Sequence, residues 1–166
     1  TIVVFVGDNG TMREAVRPPR NPDDAKASLH EGGTNVPLLI AGPGVARGES
    51  AALVHAVDVF ATLAELAGVP TTGLTLDGMS FAAVLTDPNS AGPRDVVYTE
   101  RFSPLGPGPY ELDLRAVRDH RFKVLQRSSG DRAWFDLRDR HDDGPPVRKT
   151  TPDRDAYLRL EGELDE

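Results

Sequence analysis

The sequence predicts an α/β protein in two parts. An α/β core spans residues 1–90, and a small antiparallel sheet-plus-helix subdomain, α+β in character, spans 91–166. Three observations lead there. The uninterrupted apolar run Ile2-Val3-Val4-Phe5-Val6 stops at Gly7-Asp8-Asn9-Gly10, which reads as a strand buried on both faces, as in a parallel sheet. One well-patterned helix follows near residues 58–67. Beyond residue 94 the pattern changes to short alternating strands.

In order along the chain, the first strand delivers a carboxylate and an amide at its carboxyl end, where the crevice of an open α/β sheet lies. Residues 11–35 lack a clear period and contain Arg17-Pro18-Pro19-Arg20-Asn21-Pro22, which predicts a long surface loop. Val36-Pro37-Leu38-Leu39-Ile40-Ala41 is the second expected buried strand, stopped by Gly42-Pro43-Gly44. In the helix, Val59, Phe60, Leu63, Leu66 and Ala67 share one face, Gly68 stands at the C′ position and Asp58 is a candidate cap. A shorter helix is expected near Ser80–Leu85, then a Pro/Gly/Asn-rich break over 86–94. Val96–Thr99, Arg115–Arg118, Arg121–Leu125 and Ala133–Leu137 read as strands, the middle two forming a hairpin across Asp119-His120. Residues 139–152 read as loop, and 155–164 as a helix presenting Leu158, Leu160 and Leu164.

Composition excludes several function classes. The 166 residues carry 26 Asp and Glu against 19 Lys and Arg, a formal charge of −7, so no nucleic-acid partner is expected. Cysteine is absent, which removes disulfides, thiolate metal sites and a cysteine nucleophile. No stretch approaches the ~18 apolar residues of a membrane span, so no membrane partner is expected.

Asp8-Asn9-Gly10 has two readings. As a tripeptide it is first a turn, because Asp, Asn and Gly are all turn formers. As a strand-end pair, Asp8 and Asn9 offer the oxygen ligands that suit a hard cation. Glu31-Gly32-Gly33 places a charged residue on a glycine turn that enters the second strand, with Lys26 five residues before Glu31. Gly78-Met79-Ser80-Phe81-Ala82 falls short of a nucleophile elbow, lacking a feeding strand and the final glycine, so Ser80 reads as a helix-start residue. His30, His55, His120 and His141 are scattered without a His-x-x-x-His pair. Arg17 and Arg20 read as solvated loop charges.

Taken in order, these pieces resemble the sulfatase family within the alkaline-phosphatase-like superfamily. The resemblance rests on the Asp8-Asn9-Gly10 strand end, Lys26 spaced from Glu31-Gly32-Gly33 and the strand holding Val36-Pro37. It continues through Gly42-Pro43-Gly44, the Asp58-led helix ending in Ala67-Gly68, Asp77-Gly78-Met79-Ser80 and the Arg115–Leu137 sheet. It implies the C-terminal half of a sulfatase-like α/β core, with Asp8 and Asn9 as ligands to Ca2+ (or Mg2+) and Lys26 contacting a sulfate oxygen. His30, close in sequence, is a candidate substrate contact. Asn9 rather than His after Asp8 leans the resemblance toward sulfate esters over phosphate or phosphonate esters.

The family's Cys/Ser-x-Pro-x-Arg signature, whose Cys or Ser becomes the formylglycine nucleophile, is not in this chain. Neither are the upstream metal ligands, and two oxygens are too few for calcium. The expectation is therefore a fragment of a sulfuric ester hydrolase, inactive alone. The alternatives are a non-catalytic binding or assembly module with the same fold remnant, and a phosphate or phosphonate ester hydrolase of the superfamily. Expected partners are a sulfate ester in the intact parent, and either a second copy or a chain supplying the missing half.

Overall fold

The computed structural model describes residues 1–138, 143–147 and 153–165. In chain order its elements are β1 (Val3–Val6), α1 (Glu31–Thr34), β2 (Leu38–Ala41), α2 (Asp58–Leu66), α3 (Ala82–Thr86), β3 (Val97–Ser103), β4 (Leu112–Arg118), β5 (Phe122–Gln126), β6 (Arg132–Asp136) and α4 (Arg154–Asp165). They form two sheets, β1-β2 and β3-β4-β5-β6. The chain divides into two compact units, one of Thr1–Phe5 with Leu39–Val97, the other of Val6–Leu38 with Tyr98–Glu166. Segment 6–38, sequentially part of the expected core, thus folds with the C-terminal sheet. No helix among the described residues is long and apolar enough to cross a membrane.

The first unit is organised by one buried carboxylate. Asp58, fully buried at the start of α2, accepts hydrogen bonds from the N–H groups of His55 at 2.7 Å and Met79 at 2.8 Å. Arg94 Nε donates to both its oxygens, at 3.0 and 2.8 Å, and Arg94 Nη2 donates at 2.5 Å. Burial pushes this carboxyl up, but the hydrogen bonds from Arg94, Met79 and His55 outweigh it and hold it below its ordinary range. Thr62, one turn along, donates to the Asp58 carbonyl and accepts from the Phe81 N–H. The second helix is thereby tied to the first.

The expected span of α2 is observed, and Gly68, at φ +66°, supplies its left-handed stop. Its expected buried face is corrected: Asp58, Thr62 and Ala64 are buried, whereas Phe60 is 57% exposed and Leu63 40%. The polar anchor, rather than the apolar stripe, decides which side faces the unit. β1 is likewise corrected, since Val3 is 62% and Phe5 59% exposed. Its sheet has only two described strands, and nothing in the first unit covers these side chains.

The second unit is built on the antiparallel pairs β4-β5 and β5-β6. Alternation sorts their side chains into two faces. One carries Ala116, Leu125, Ala133 and Phe135, which cluster with Leu29 and Leu137. On the other, Phe122 packs against Tyr157 of α4 at 4.8 Å between ring centroids. In α4 the buried residues are Tyr157, Leu160 and Leu164; Leu158, expected on that face, is exposed. The 11–35 segment is also corrected from a plain surface loop. It makes two short 3-10 turns, Arg13–Ala15 and Pro22–Asp24, and inserts the buried Leu29 into the sheet's core. Most of the expected 139–152 loop, including His141, lies outside the described residues.

The glycines of the two motifs have one cause. Gly10 N–H donates to the Gly33 carbonyl at 2.9 Å, bringing the backbones of 8–11 and 31–35 together. A Cβ at Gly10 would lie 1.8 Å from the Gly32 carbonyl oxygen, and one at Gly33 2.3 Å from that of Ser28. Only glycine fits either place.

Gly10→Ala should therefore destabilise the chain by at least the about 1–3 kcal/mol typical of overpacking, measured by urea denaturation. Asp58→Ala, which leaves Arg94 without its partner, should cost about 3–5 kcal/mol in the same measurement. Because the folded pKa of Asp58 lies below its unfolded value of about 3.9, its contribution is full above that value. It is lost as pH falls through the folded pKa. Stability measured at pH 7 and pH 3 should fall less in Asp58→Asn than in the unmodified chain.

Candidate functional site

The residues singled out in the sequence gather in the second unit. Asp8 and Asn9 follow β1 as an exposed turn, and neither side chain has a partner among the described residues. Lys26 is exposed too, and its ammonium has no partner among the described residues. Its backbone is firmly placed: Lys26 N–H donates to the Thr11 carbonyl at 3.0 Å. With the Gly10–Gly33 bond, this joins the Asp8-Asn9 strand end to the Lys26 turn by two backbone ties. A cleft of about 430 Å³ beside them is lined by Asn9, Thr11, Arg20, Asp24, Glu31 and Asn35.

Ala27, directly after Lys26, has φ +72°. A residue with a Cβ in the left-handed region costs roughly 1–2 kcal/mol and persists only where its surroundings hold it. The Arg101 guanidinium, from β3, donates to the Ala27 carbonyl.

Behind the turn lies a buried ionic cluster. Glu31, the first residue of α1, is buried with its carboxylate between two cations. Oε1 accepts from Lys123 Nζ at 3.1 Å, and Oε2 accepts from the Arg118 guanidinium. Asn35 Nδ2 also donates to Oε2, at 3.1 Å. Arg118 and Lys123 are directly opposite in the β4-β5 register. Like charges so placed repel, and Glu31 converts that repulsion into two attractions.

Asp143 completes the cluster. Its Oδ2 accepts from the Glu31 N–H at 2.9 Å and shares a 2.5 Å hydrogen bond with His30 Nδ1. Its Oδ1 stands 3.1 Å from Lys123 Nζ, an ion pair outside hydrogen-bond angles. Burial pushes the Asp143 carboxyl up, but the His30 hydrogen bond and the charge of Lys123 outweigh it and hold it below the ordinary range.

His30 itself is half-buried, with Nε2 3.6 Å from Asp24 Oδ1 and its ring edge-on to Phe135 at 5.4 Å. The structure thus brings Asp8, Asn9 and Lys26 to one exposed region, and turns His30 toward the cluster. Arg101, Arg118, Lys123 and Asp143 escaped the sequence reading. A signal existed for Lys123: in Phe122-Lys123-Val124-Leu125 it shares a strand face with Leu125, a place where a lysine needs a buried anion.

The metal implied by the resemblance does not fit these residues alone. A calcium ion takes six to eight oxygens, and Asp8 and Asn9 supply two. Among the described residues no group of three or more His, Cys, Asp or Glu is placed to hold a metal.

Residues 1–69 match the family model described as Sulfatase. Arylsulfatase K of Danio rerio is 43% identical over 87 residues, covering 52% of this chain and 16% of that protein. Arylsulfatase A of Homo sapiens is 36% identical over 91 residues, covering 51% and 18%. A crystal structure described as a sulfatase of Bacteroides thetaiotaomicron superposes with a TM-score of 0.75 at 22% identity, over 99% of this chain and 35% of that one. The chain thus spans less than a fifth of these two arylsulfatases and about a third of the solved structure. Its mixed α/β architecture matches the solved fold along its whole length, and over residues 1–69 the chain is similar to the sulfatase family.

Proposed function

We propose that this chain contributes the Lys26 and Asp8-Asn9 portion of a sulfatase-type sulfuric ester hydrolase site, and that it is inactive without the polypeptide carrying the nucleophile. One observation carries the reading. Two backbone ties, Gly10 to Gly33 and Lys26 to Thr11, hold an ammonium on the segment joined to a carboxylate and an amide, none of which has a partner among the described residues. An ammonium so presented stabilises negative charge as it develops on a sulfate oxygen. Asp8 and Asn9 are two of the oxygen donors of a divalent-cation site completed by residues outside this chain. Asn9 in place of His favours sulfate esters over phosphonate esters.

The exposed apolar side chains of the first unit support a partner. Val3, Phe5, Leu39 and Phe60 are each more than half exposed, and exposed apolar patches and strand edges drive association. This surface is covered by another polypeptide, either the one supplying the rest of the α/β core or a second copy.

Aryl-sulfate hydrolysis in the presence of Ca2+ tests the catalytic reading. The chain alone should show no turnover above that of Asp8→Ala. Mixed with a polypeptide that supplies the nucleophile-bearing part, it should gain activity, and Lys26→Ala should lower that gain by about 10²–10³-fold. Turnover by the chain alone that survives Asp8→Ala would overturn the reading, and preference for phosphate esters would move it to the other branch of the superfamily. Sedimentation velocity tests the partner: the chain alone should self-associate, and Phe5→Ser with Val3→Ser should shift it toward monomer. A monomeric unmodified chain that also ignores the complementing polypeptide would remove this part.

A further inference from the structure

We propose that the C-terminal sheet, together with Asp143 beyond its last strand, sets the position of Lys26, with Arg101, Arg118, Lys123 and Asp143 acting as positioning residues that hold the 24–35 segment in the conformation presenting this ammonium. The functional meaning of that position rests on the reading of Lys26 as an anion contact.

The segment is pinned on both sides of a lysine whose ammonium has no partner among the described residues. On its N-terminal side, Ala25 is buried and the Lys26 N–H is held by the Thr11 carbonyl. On the C-terminal side, Ala27 is kept in the left-handed region while Arg101 takes its carbonyl. Leu29 then enters the core of the sheet, and His30 and Glu31 are gripped by Asp143, Lys123 and Arg118. A cluster serving stability alone requires only that Glu31 satisfy the two strand cations. It does not require the unfavourable backbone at Ala27, nor an arginine from a third strand reaching that carbonyl. Strain of this kind persists where the surroundings over-determine a geometry. The over-determined residues here are the immediate neighbours of Lys26.

The division of labour has a chemical logic. A lysine side chain is long and flexible, so its useful orientation depends on where its Cα is held. The sheet, rigid through its antiparallel pairing, supplies fixed cations, and Asp143, beyond β6, supplies one fixed anion, from positions 74 to 113 residues away in sequence.

Site-resolved amide hydrogen exchange on the full chain, with inorganic sulfate as the binding probe, tests this. In Arg101→Gln, exchange at the Lys26 and Ser28 N–H groups should rise about tenfold, with Val117 and Val124 in β4 and β5 unchanged. Arg101→Lys, which keeps a cationic donor on a stem longer than that of glutamine, should restore most of the protection. Asp143→Asn should raise exchange at Glu31 as well. Sulfate should perturb the Lys26 side-chain resonance in the unmodified chain, and less in Arg101→Gln. Equal acceleration throughout β4 and β5, or none at Lys26 and Ser28, would overturn the positioning role. Arg101 is exposed in its contact with Ala27, so its variants remain informative if Asp143→Asn fails to fold. Absence of any sulfate response at Lys26 would instead refute the anion-contact reading, and the exchange rates would still decide whether the sheet holds the turn.

Discussion

The second unit depends on one carboxylate placed between two cations. Arg118 and Lys123 face each other across the β4-β5 hairpin and would repel, were Glu31 not inserted between them. Inserting it requires the 24–35 segment to lie against the sheet, which in turn buries Leu29 and brings Asp143 onto Lys123 and His30. An unpaired charge in such surroundings is costly, and a paired, hydrogen-bonded one is tolerated. The cluster is therefore mutually conditional: each charge is acceptable only because the others are in place. The first unit uses the same solution on a smaller scale, with Asp58 as anion and Arg94 as cation.

This arrangement relates the two motifs to the rest of the chain. Glu31 serves the interior, so the family-like spacing of Lys26 and Glu31 pairs an exposed group with a buried one. The buried residue fixes the backbone and the exposed one is left in solvent. Gly10, Gly32 and Gly33 belong to the same design, because each allows backbone to approach backbone where a Cβ would collide with a carbonyl oxygen.

Much of the architecture was legible. The helix over 58–66, the hairpin across Asp119-His120 and the terminal helix follow from apolar periodicity and turn chemistry, and their positions are observed. What periodicity could not decide is which face is covered. Phe60 and Leu63 form a sound apolar stripe, yet they are exposed, because Asp58 and Thr62 on another side make the hydrogen bonds to Met79, Phe81 and Arg94. Likewise β1 has the composition of a strand buried on both faces, but burial requires neighbours. Its sheet has one described neighbour, β2.

Residue type and local spacing were enough for the resemblance to sulfatases, the strand-end pair Asp8-Asn9, and the spacing of Lys26 from Glu31. These are local features, carried by residue type and separation along the chain. Long-range packing makes Glu31 an interior anion, turns His30 toward Asp143, and carries Arg101 to the carbonyl beside Lys26. Those contacts join residues 74 to 113 positions apart. Pairing of this kind follows from strand register and from the cost of leaving a buried charge alone, and neither is written in any short stretch of sequence.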